Sequence, residues 1–371
     1  WPKFTKAVIE AIESQGWSNI KDQNGVFEDG YFPVAYNHTD ERRVGAAWAY
    51  LTTEVRQRKN LTILGDCRVL KLLFEGSCCT GVHAQRENTD IIYRAREVIV
   101  SCGALHTPAL LMRSGVGPRQ DLEVIGIQPV VDRPGVGRNL TEHPGVNLGC
   151  FMKRPARLPP ELRRQMFAGL RWSSGFDDCP PGDMYIIPAN KAQWHEIGAR
   201  IGLIMMWANR SFSSGQVRLK SADPKSALDV DFNMLSDERD IARLAQGVRL
   251  MVKLQAHPAV QECIEEVFPI SYSDQARKLA LYSRWNKLQT DAGAILMDSS
   301  KLIRKLLIRT LIADAPSLRD LSENESICRE WLKTAVHGHW HVSGTCRMGR
   351  KDDPNAVTDP SGLVYGVTGL R

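Results

Sequence analysis

Apolar residues recur at helical spacing near the start of the chain, where residues 3–16 predict an amphipathic helix. Gly16 follows the last apolar residue of this pattern and is typical of the position just after a helix end. A segment rich in Gly, Asn and Asp predicts a loop to about residue 40, and small and apolar residues predict a second helix over 44–58. The first part of the chain is therefore predicted to be two helices joined by a loop.

From residue 61 the pattern changes to strands. Apolar and β-branched runs predict strands at 61–64, 68–74, 81–85, 91–95 and 97–101. Turns such as Glu75-Gly76 separate short strands and suggest a small antiparallel sheet that leads into a central strand. The segment Val98-Ile99-Val100 is apolar on both faces, which is typical of a buried strand in a parallel sheet.

A turn of small residues follows this strand, at residues 101–106. Thr107 suits an N-cap, Pro108 suits the first helical position, and Gly115 suits the end of the helix that they predict. A turn of this kind lets a ligand approach the backbone and offers unpaired N–H groups to an anion. A tight strand-to-helix connection without a ligand explains the same residues equally well, so both interpretations stay open.

The second half of the chain begins with a proline- and arginine-rich segment, residues 153–183, which predicts a linker or lid between domains. Further strands are predicted at 184–188, 201–207 and 216–220, and helices at 236–256, 274–290 and 297–313. In the last helix, apolar residues alternate with a basic face: Leu302, Ile303, Leu306 and Leu307 against Lys301, Arg304, Lys305 and Arg309. We favour the prediction that the apolar face of this helix is buried in the core. The alternative is that this face docks on a membrane or on a partner protein.

Composition excludes several classes of protein. The chain has 371 residues, 43% apolar and 24% charged, as in ordinary globular proteins, and its length suggests two domains. No apolar run approaches the roughly 18 residues that a transmembrane helix needs. A net charge of +6 is too small to indicate nucleic-acid binding. Nine cysteines, an odd number without a C-x-x-C pair, favour a reduced, cytoplasmic protein. The ends, Trp1 and Arg371, carry no targeting signal, and we interpret the chain as a fragment.

Three alternating histidines, His337, His339 and His341, form the strongest chemical signal. On an extended segment they share one face, as metal ligands do, although a further ligand would have to be Cys346 or Cys328. One of them is alternatively a general acid or base. A third explanation is that the histidines are simply exposed polar residues of a strand. This explanation is less favoured, because three histidines occur together beside a Gly-Thr-Cys turn.

Three segments resemble the glucose–methanol–choline (GMC) family of FAD-dependent oxidoreductases, most of all its alcohol and choline dehydrogenases. Residues 103–118 are similar to the second signature of the family, and residues 135–143 to its G-V-G-x-N-L-x-D-H loop, with Glu142 where Asp is usual. His341 to Gly349 match its H-x-x-G-T-C-x-M-G catalytic segment. The resemblance covers nearly the whole chain, and is weakest over about 151–200 and 265–330.

The resemblance implies a role for six residues. His341 would be the catalytic histidine, which accepts the alcohol proton. The cofactor-binding residues would be Trp340 at the flavin edge, Val69 through its backbone on the adenine side, and Ser101, Gly103 and Ala104 along FAD. His337 and His339 match no catalytic position of the family, so they are interpreted as structural, and no metal site is expected.

The implied fold is mixed α/β (α+β), with an incomplete Rossmann-like FAD-binding domain in residues 1–150 and 335–371. A substrate domain, an antiparallel sheet backed by helices, would occupy residues 151–334. The G-x-G-x-x-G unit and the second catalytic residue, a His or Asn, are expected outside the chain, so residues 1–371 alone are expected to be inactive.

The implied reaction is oxidation of a CH–OH group of a small-molecule alcohol by hydride transfer to the flavin. The electron acceptor stays open among oxygen, a quinone or another acceptor. The alternatives are a GMC-type non-redox lyase, a metal-dependent hydrolase that uses His337, His339 and His341, and an inactive remnant.

Overall fold

The computed structural model describes residues 1–39, 42–270, 274–312 and 315–371. Its α-helices are α1 Lys3–Glu13, α2 Ala46–Tyr50, α3 Thr53–Arg56, α4 Gly103–Arg113, α5 Arg119–Val124, α6 Glu196–Arg200, α7 Glu238–Ala256, α8 Pro258–Cys263, α9 Asp274–Ala280, α10 Arg284–Ser299, α11 Lys301–Leu311, α12 Leu318–Glu323 and α13 Glu325–Ala335. Its strands are β1 Gly30–Pro33, β2 Cys67–Glu75, β3 Cys78–Arg86, β4 Thr89–Arg94, β5 Val116–Gly117, β6 Val131–Asp132, β7 Gly145–Met152, β8 Ala168–Trp172, β9 Met184–Ala189, β10 Ile201–Ala208, β11 Gln216–Arg218, β12 Asp229–Asp231 and β13 Ile264–Ile270.

The chain forms two units, and each is built from three separate segments. The first unit contains Trp1–Val44, His143–Phe212 and Asp237–His339. The second unit contains Gly45–Glu142, Ser213–Ser236 and Trp340–Arg371. The assignment of a cofactor domain and a substrate domain stays a prediction.

An antiparallel sheet of six strands forms the centre of the first unit, in the order β1-β8-β9-β10-β7-β13. Strands β7, β8 and β9 are buried along their whole length, because helices and loops cover both faces of the sheet. One core cluster joins Phe151 of the sheet to Ala294 and Met297 of α10 and Ile308 of α11. The predicted combination of an antiparallel sheet with packed helices is confirmed.

Arg243 of α7 lies at the centre of a buried ionic cluster in this unit. Its side chain is fully buried and forms ion pairs with Asp183, at 3.0 Å, and with Asp240. The Asp183 carboxylate also accepts hydrogen bonds from the backbone N–H and the hydroxyl of Ser174, both at 2.7 Å. Because the buried charges are paired, the cluster ties the start of β9 to α7 at a tolerable desolvation cost.

The second unit combines a three-stranded antiparallel sheet, β2-β3-β4, with helix α4. Leu110, Leu111 and Met112 of α4 belong to one core cluster with Leu72 of β2. The Ser114 hydroxyl accepts the Leu72 backbone N–H at 2.8 Å. Helix α4 is therefore held against the sheet by both apolar contacts and a buried hydrogen bond.

Several predictions for the first third of the chain are wrong. The predicted loop before residue 40 contains β1, which pairs with β8. The predicted helix 44–58 is two short helices, because the Thr52 side chain caps a new helix by accepting the Val55 N–H. Residues 61–64 form no strand, since no described segment pairs with them. Residues 97–101 form only one β-bridge, between Val98 and Leu370, and Ile99 is 68% exposed.

The predicted linker at residues 153–183 contains a core strand, β8, and this correction has a clear physical cause. The linker was predicted because the segment is rich in proline and arginine, and the strand itself contains a basic residue, Arg171. In the structure its guanidinium donates to the Glu28 carbonyl at 3.0 Å and lies 3.7 Å from the ring centre of Phe27. Loop carbonyls and an aromatic face replace water around the charge, so the strand is buried with the arginine in it.

The helices predicted at 274–290 and 297–313 also differ from the structure. They are three helices, α9, α10 and α11, separated at residues 281–283 and at Ser300. The predicted orientation of α11 is wrong, because Leu302 and Leu306 are 80% and 64% exposed whereas Arg304 is 5% exposed. Arg304 is buried since it pairs with Glu265 and donates to the Met297 carbonyl at 3.2 Å.

Within the described parts of the chain, no helix combines the length and the apolar character that crossing a bilayer requires.

Candidate functional site

The segment around His341 is held by its backbone in the second unit. The His341 N–H donates to both carboxylate oxygens of Glu142, each at 3.0 Å, and the Glu142 side chain is buried. A second attachment follows, because Thr141 and Ser343 exchange two backbone hydrogen bonds, 2.9 and 3.0 Å long. The rings of Trp340 and His341 themselves are exposed. The structure therefore fixes the main chain beneath the predicted catalytic side chain.

Trp340 has an unusual backbone conformation. Its φ angle is +62°, in the left-handed region that a bulky residue rarely adopts, and its side chain is 83% exposed. Strained backbone of this kind persists only where surrounding contacts impose it, and it is enriched at functional sites. The Glu142 carboxylate that binds the next N–H is such a contact.

A hydrogen bond joins the His341 segment to the first turn of α4. The Thr345 hydroxyl, which is buried, donates to the Ala104 carbonyl at 2.5 Å. In a regular helix this carbonyl would accept the N–H four residues later, but that residue is Pro108, which has none. The Thr345 side chain therefore supplies the donor that the proline removes.

Helix α4 begins earlier than the sequence predicts. It starts at Gly103, with Cys102 as N-cap, so Pro108 lies inside the helix rather than at its first position. Thr107 is not the N-cap, and its hydroxyl instead accepts the Cys102 N–H at 3.1 Å. As a result, the predicted cofactor residues Gly103 and Ala104 form the first turn of the helix.

An open cavity of about 590 Å³ lies beside this turn within the second unit. Its walls come from β2, α4 and residues 224–228, and they include Val69, Cys102 and the basic side chains Arg68, His106 and Arg113. Gly103 has a φ of +78°, and a Cβ there would meet no atom within 4 Å. The backbone at the helix start is thus accessible to a ligand.

The side chains of this cavity fit an anionic, dinucleotide-like group. The Arg113 Nε is buried and makes no hydrogen bond within the described residues. Burial lowers the pKa of the Arg113 guanidinium, and the negative charge of Asp223 opposes this shift in part. A phosphate would supply the acceptor that Nε lacks. FAD carries a pyrophosphate, so the residues present are compatible with part of an FAD site.

The first unit contains the other two histidines of the motif. His337 Nε2 lies 3.2 Å from the amide nitrogen of Asn147, and the His339 ring packs 4.6 Å from Trp207. Burial raises the pKa of the Cys346 thiol to about 12, which disfavours the thiolate that a metal ligand requires. Within the described residues there is no group of three or more His, Cys, Asp or Glu side chains that could hold a metal ion.

The structure brings part of the predicted site together. Val69 lines the cavity, and Ser101, Gly103 and Ala104 lie beside its Cys102 wall at the start of α4. Two contributors, Glu142 and Thr345, had no role in the sequence prediction. Glu142 lies in the family-like segment 135–143 and Thr345 in the segment 341–349. For Glu142 the sequence offered one indication, which is that Glu replaces the usual Asp.

Comparison with known families gives two matches. Residues 2–145 match the N-terminal family model described as GMC oxidoreductase, and residues 211–371 match the C-terminal one.

Among curated proteins, the chain is 40% identical to a 5-(hydroxymethyl)furfural oxidase of Methylovorus sp. (strain MP688), over 100% of this chain and 63% of that protein. It is 30% identical to an oxygen-dependent choline dehydrogenase of Rhizobium meliloti (strain 1021), over 98% of this chain and 62% of that protein. The chain thus spans less than two thirds of the curated relatives that it matches.

Solved structures share the fold. The structure of pyridoxine 4-oxidase from Mesorbium loti aligns with a TM-score of 0.77 at 24% identity, and covers 99% of this chain and 63% of that one. A formate oxidase aligns with a TM-score of 0.76 at 20% identity, over 100% of this chain and 64% of that one. The predicted mixed α/β fold class is confirmed.

Proposed function

Since the chain belongs to the GMC oxidoreductase family, we propose that the natural protein oxidises a CH–OH group of a small-molecule alcohol with bound FAD. The family supports the predicted cofactor, and the two curated relatives described above act, by their names, on a hydroxymethyl compound and on choline. In this proposal residues 1–150 and 335–371 are assigned to the cofactor and residues 151–334 to the substrate, with the exception of residues 224–228, which line the cavity beside α4.

The cavity beside α4 would hold part of FAD. In this proposal the backbone of Val69 in the cavity wall, and that of Ser101, Gly103 and Ala104 beside it, lies against the ligand, and Arg113, whose Nε is buried, is a counter-charge. When bound, FAD supplies the acceptor for the hydride that leaves the alcohol carbon.

His341 would act as the base. An imidazole nitrogen of His341 accepts the proton of the substrate hydroxyl, while Trp340 borders the reacting region on the flavin side. The observation that carries this role is the attachment of the His341 N–H to both Glu142 oxygens. Because the main chain is fixed, the exposed ring has fewer positions to search, which favours a productive orientation of its nitrogen.

A second link supports the same assignment. The Thr345 hydroxyl joins the segment that carries His341 to the Ala104 carbonyl in the turn assigned to FAD. A base that has to act beside the cofactor needs a fixed position relative to the cofactor site. The hydrogen bond is well suited to maintain that relation within the second unit.

The test is the variant His341→Ala in the natural protein purified with its flavin. General-base assistance is worth about 10²–10⁴ in rate, so we expect turnover to fall by about that factor while the flavin absorbance stays unchanged. His83→Ala is the matched control, since His83 lies on β3 of the same unit and pairs with Asp90 at the surface. Near-normal turnover of His341→Ala would refute the role of His341.

The reaction type has its own test. Anaerobic addition of 5-(hydroxymethyl)furfural or choline to the wild-type protein is expected to bleach the flavin absorbance with one of the two alcohols. Absence of bleaching with a panel of alcohols, together with cleavage of a substrate, would favour the alternative of a GMC-type lyase. Reoxidation by oxygen or by a quinone then identifies the electron acceptor. The predicted inactivity of residues 1–371 alone and the predicted cytoplasmic location stay predictions.

A further inference from the structure

Helices α10 and α11 of the first unit expose apolar side chains to solvent. On α10, Trp285, Leu288 and Ile295 recur at helical spacing and are 65%, 61% and 66% exposed. On α11, Leu302 and Leu306 lie one turn apart and are also exposed. Both helices bury their other faces, so these side chains add nothing to the core. We call these five residues, with Lys301, Lys305 and Arg309, the α10–α11 surface.

Aromatic side chains lie at one end of the α10–α11 surface. Tyr282, just before α10, is 82% exposed, and its ring packs 4.9 Å from Trp194. The Trp194 Nε1 donates to the Ala280 carbonyl at 2.8 Å, which holds the pair against the helix ends. Trp and Tyr have the amphipathic rings that favour the headgroup region of a bilayer.

The charge of this segment is strongly asymmetric. Residues 274–312 contain eight Lys and Arg against three Asp, a net charge of +5, whereas the whole chain has +6. Lys301, Lys305 and Arg309 are exposed and form no ion pair within the described parts of the chain. Two copies of such a face would repel each other, so the complementary partner is anionic rather than a second copy.

The lengths of the helices favour a location parallel to a membrane. Helices α10 and α11 have 16 and 11 residues, which is shorter than the roughly 20 that cross a bilayer. Amphipathic helices with Trp or Leu on one face and Lys or Arg near it lie in the interface, where apolar side chains enter the headgroup boundary. We propose that the α10–α11 surface docks this protein on the surface of an anionic lipid bilayer.

The experiment is co-sedimentation of the natural protein with vesicles of phosphatidylcholine, alone or with about 30% phosphatidylserine. We expect binding to the anionic vesicles, a loss of that binding in high salt, and a blue shift of tryptophan fluorescence from Trp285. Binding equally to both kinds of vesicle, or to neither, would overturn the proposal.

Two double variants separate the charged and the apolar contributions. Lys301→Gln with Lys305→Gln is expected to weaken binding about five-fold for each cation removed. Leu302→Ser with Leu306→Ser is expected to weaken binding at least about ten-fold, because apolar area then stays in water. Matched controls in the second unit are Lys351→Gln and Val124→Ser, both at exposed positions.

The substituted side chains are exposed, so the urea midpoint of each variant should match that of the wild-type protein. Wild-type affinity in both double variants would overturn the proposal. A doubled mass by sedimentation that Leu302→Ser with Leu306→Ser reverses would overturn it in favour of self-association.

Discussion

The hydrogen bond from Thr345 to Ala104 permits a quantitative prediction about how the second unit holds the predicted site. Thr345→Val removes the hydroxyl and keeps the shape of the side chain. Thr345 is 2% exposed, whereas Ala104 is half-buried, so its carbonyl loses the 2.5 Å partner and water replaces that partner only in part. Leaving a buried acceptor unsatisfied costs about 1–3 kcal/mol, so we expect the free energy of unfolding to fall by an amount in the lower half of that range. Thr345→Ser, which keeps the donor, should lose less.

A double-mutant cycle tests the cause rather than the size of this effect. Pro108→Ala restores the backbone N–H that a helix normally offers to the Ala104 carbonyl. In the Pro108→Ala background, the loss in free energy of unfolding caused by Thr345→Val should be smaller by about 1 kcal/mol. Residues in one hydrogen-bond network typically show a coupling of this size. Urea unfolding followed by far-UV circular dichroism measures all four proteins. Equal losses in both backgrounds would refute the reasoning, because the hydroxyl would then not be substituting for the missing N–H.

Three further predictions concern the other charged contacts. Glu142→Gln keeps one oxygen for the His341 N–H and Glu142→Ala keeps none, so kcat should fall further in Glu142→Ala; equal kcat in both variants would contradict the orienting role. Arg243→Met leaves two buried carboxylates without a cation and should lower the free energy of unfolding in urea by about 3–5 kcal/mol; a loss under about 1 kcal/mol would contradict the cluster's importance. Burial raises the pKa of Asp298, but hydrogen bonds from two arginines outweigh it and lower this pKa below its ordinary value. Its stabilising effect is therefore complete above about pH 4 and is lost as the pH falls further, so the difference in Tm between wild type and Asp298→Asn should shrink in acid; a constant difference across pH would contradict this.

Sequence patterns predicted the elements whose environment is determined locally. Helix α1, strands β2 to β4 and helix α7 lie within a few residues of their predicted bounds, since regular apolar spacing matched their buried faces. The family prediction is confirmed by the two family matches. Long family motifs predict the fold better than apolar periodicity does, because they depend on contacts between elements, whereas periodicity reflects the environment of one element.

The failures have a common physical origin in distant partners of polar residues. Because Arg304 is charged, the sequence predicted that its face of α11 is exposed. In the structure Arg304 is paired with Glu265, and this face is buried. Strand β8 is buried although it contains Arg171, since carbonyls of a loop far earlier in the chain surround the charge. For the site, Thr345 could not be matched with Ala104, because 241 positions separate them. Spacing along a chain contains no record of such pairs.

The interleaved order of the two units has a consequence for how the polypeptide reaches its native state during synthesis. Strand β7 of the first unit pairs with β13, and Val98 of the second unit bonds to Gly369, so both units depend on contacts between distant positions. Loop closure of this length makes folding slow relative to a protein of local contacts. A nascent chain that has emerged only as far as residue 339 contains all of the first unit and lacks one of the three segments of the second. Until residues 340–371 leave the ribosome, the core cluster around α4 lacks Val357, Val364, Val367 and Leu370, so the part of the cluster that these residues cover is exposed to chaperones and proteases.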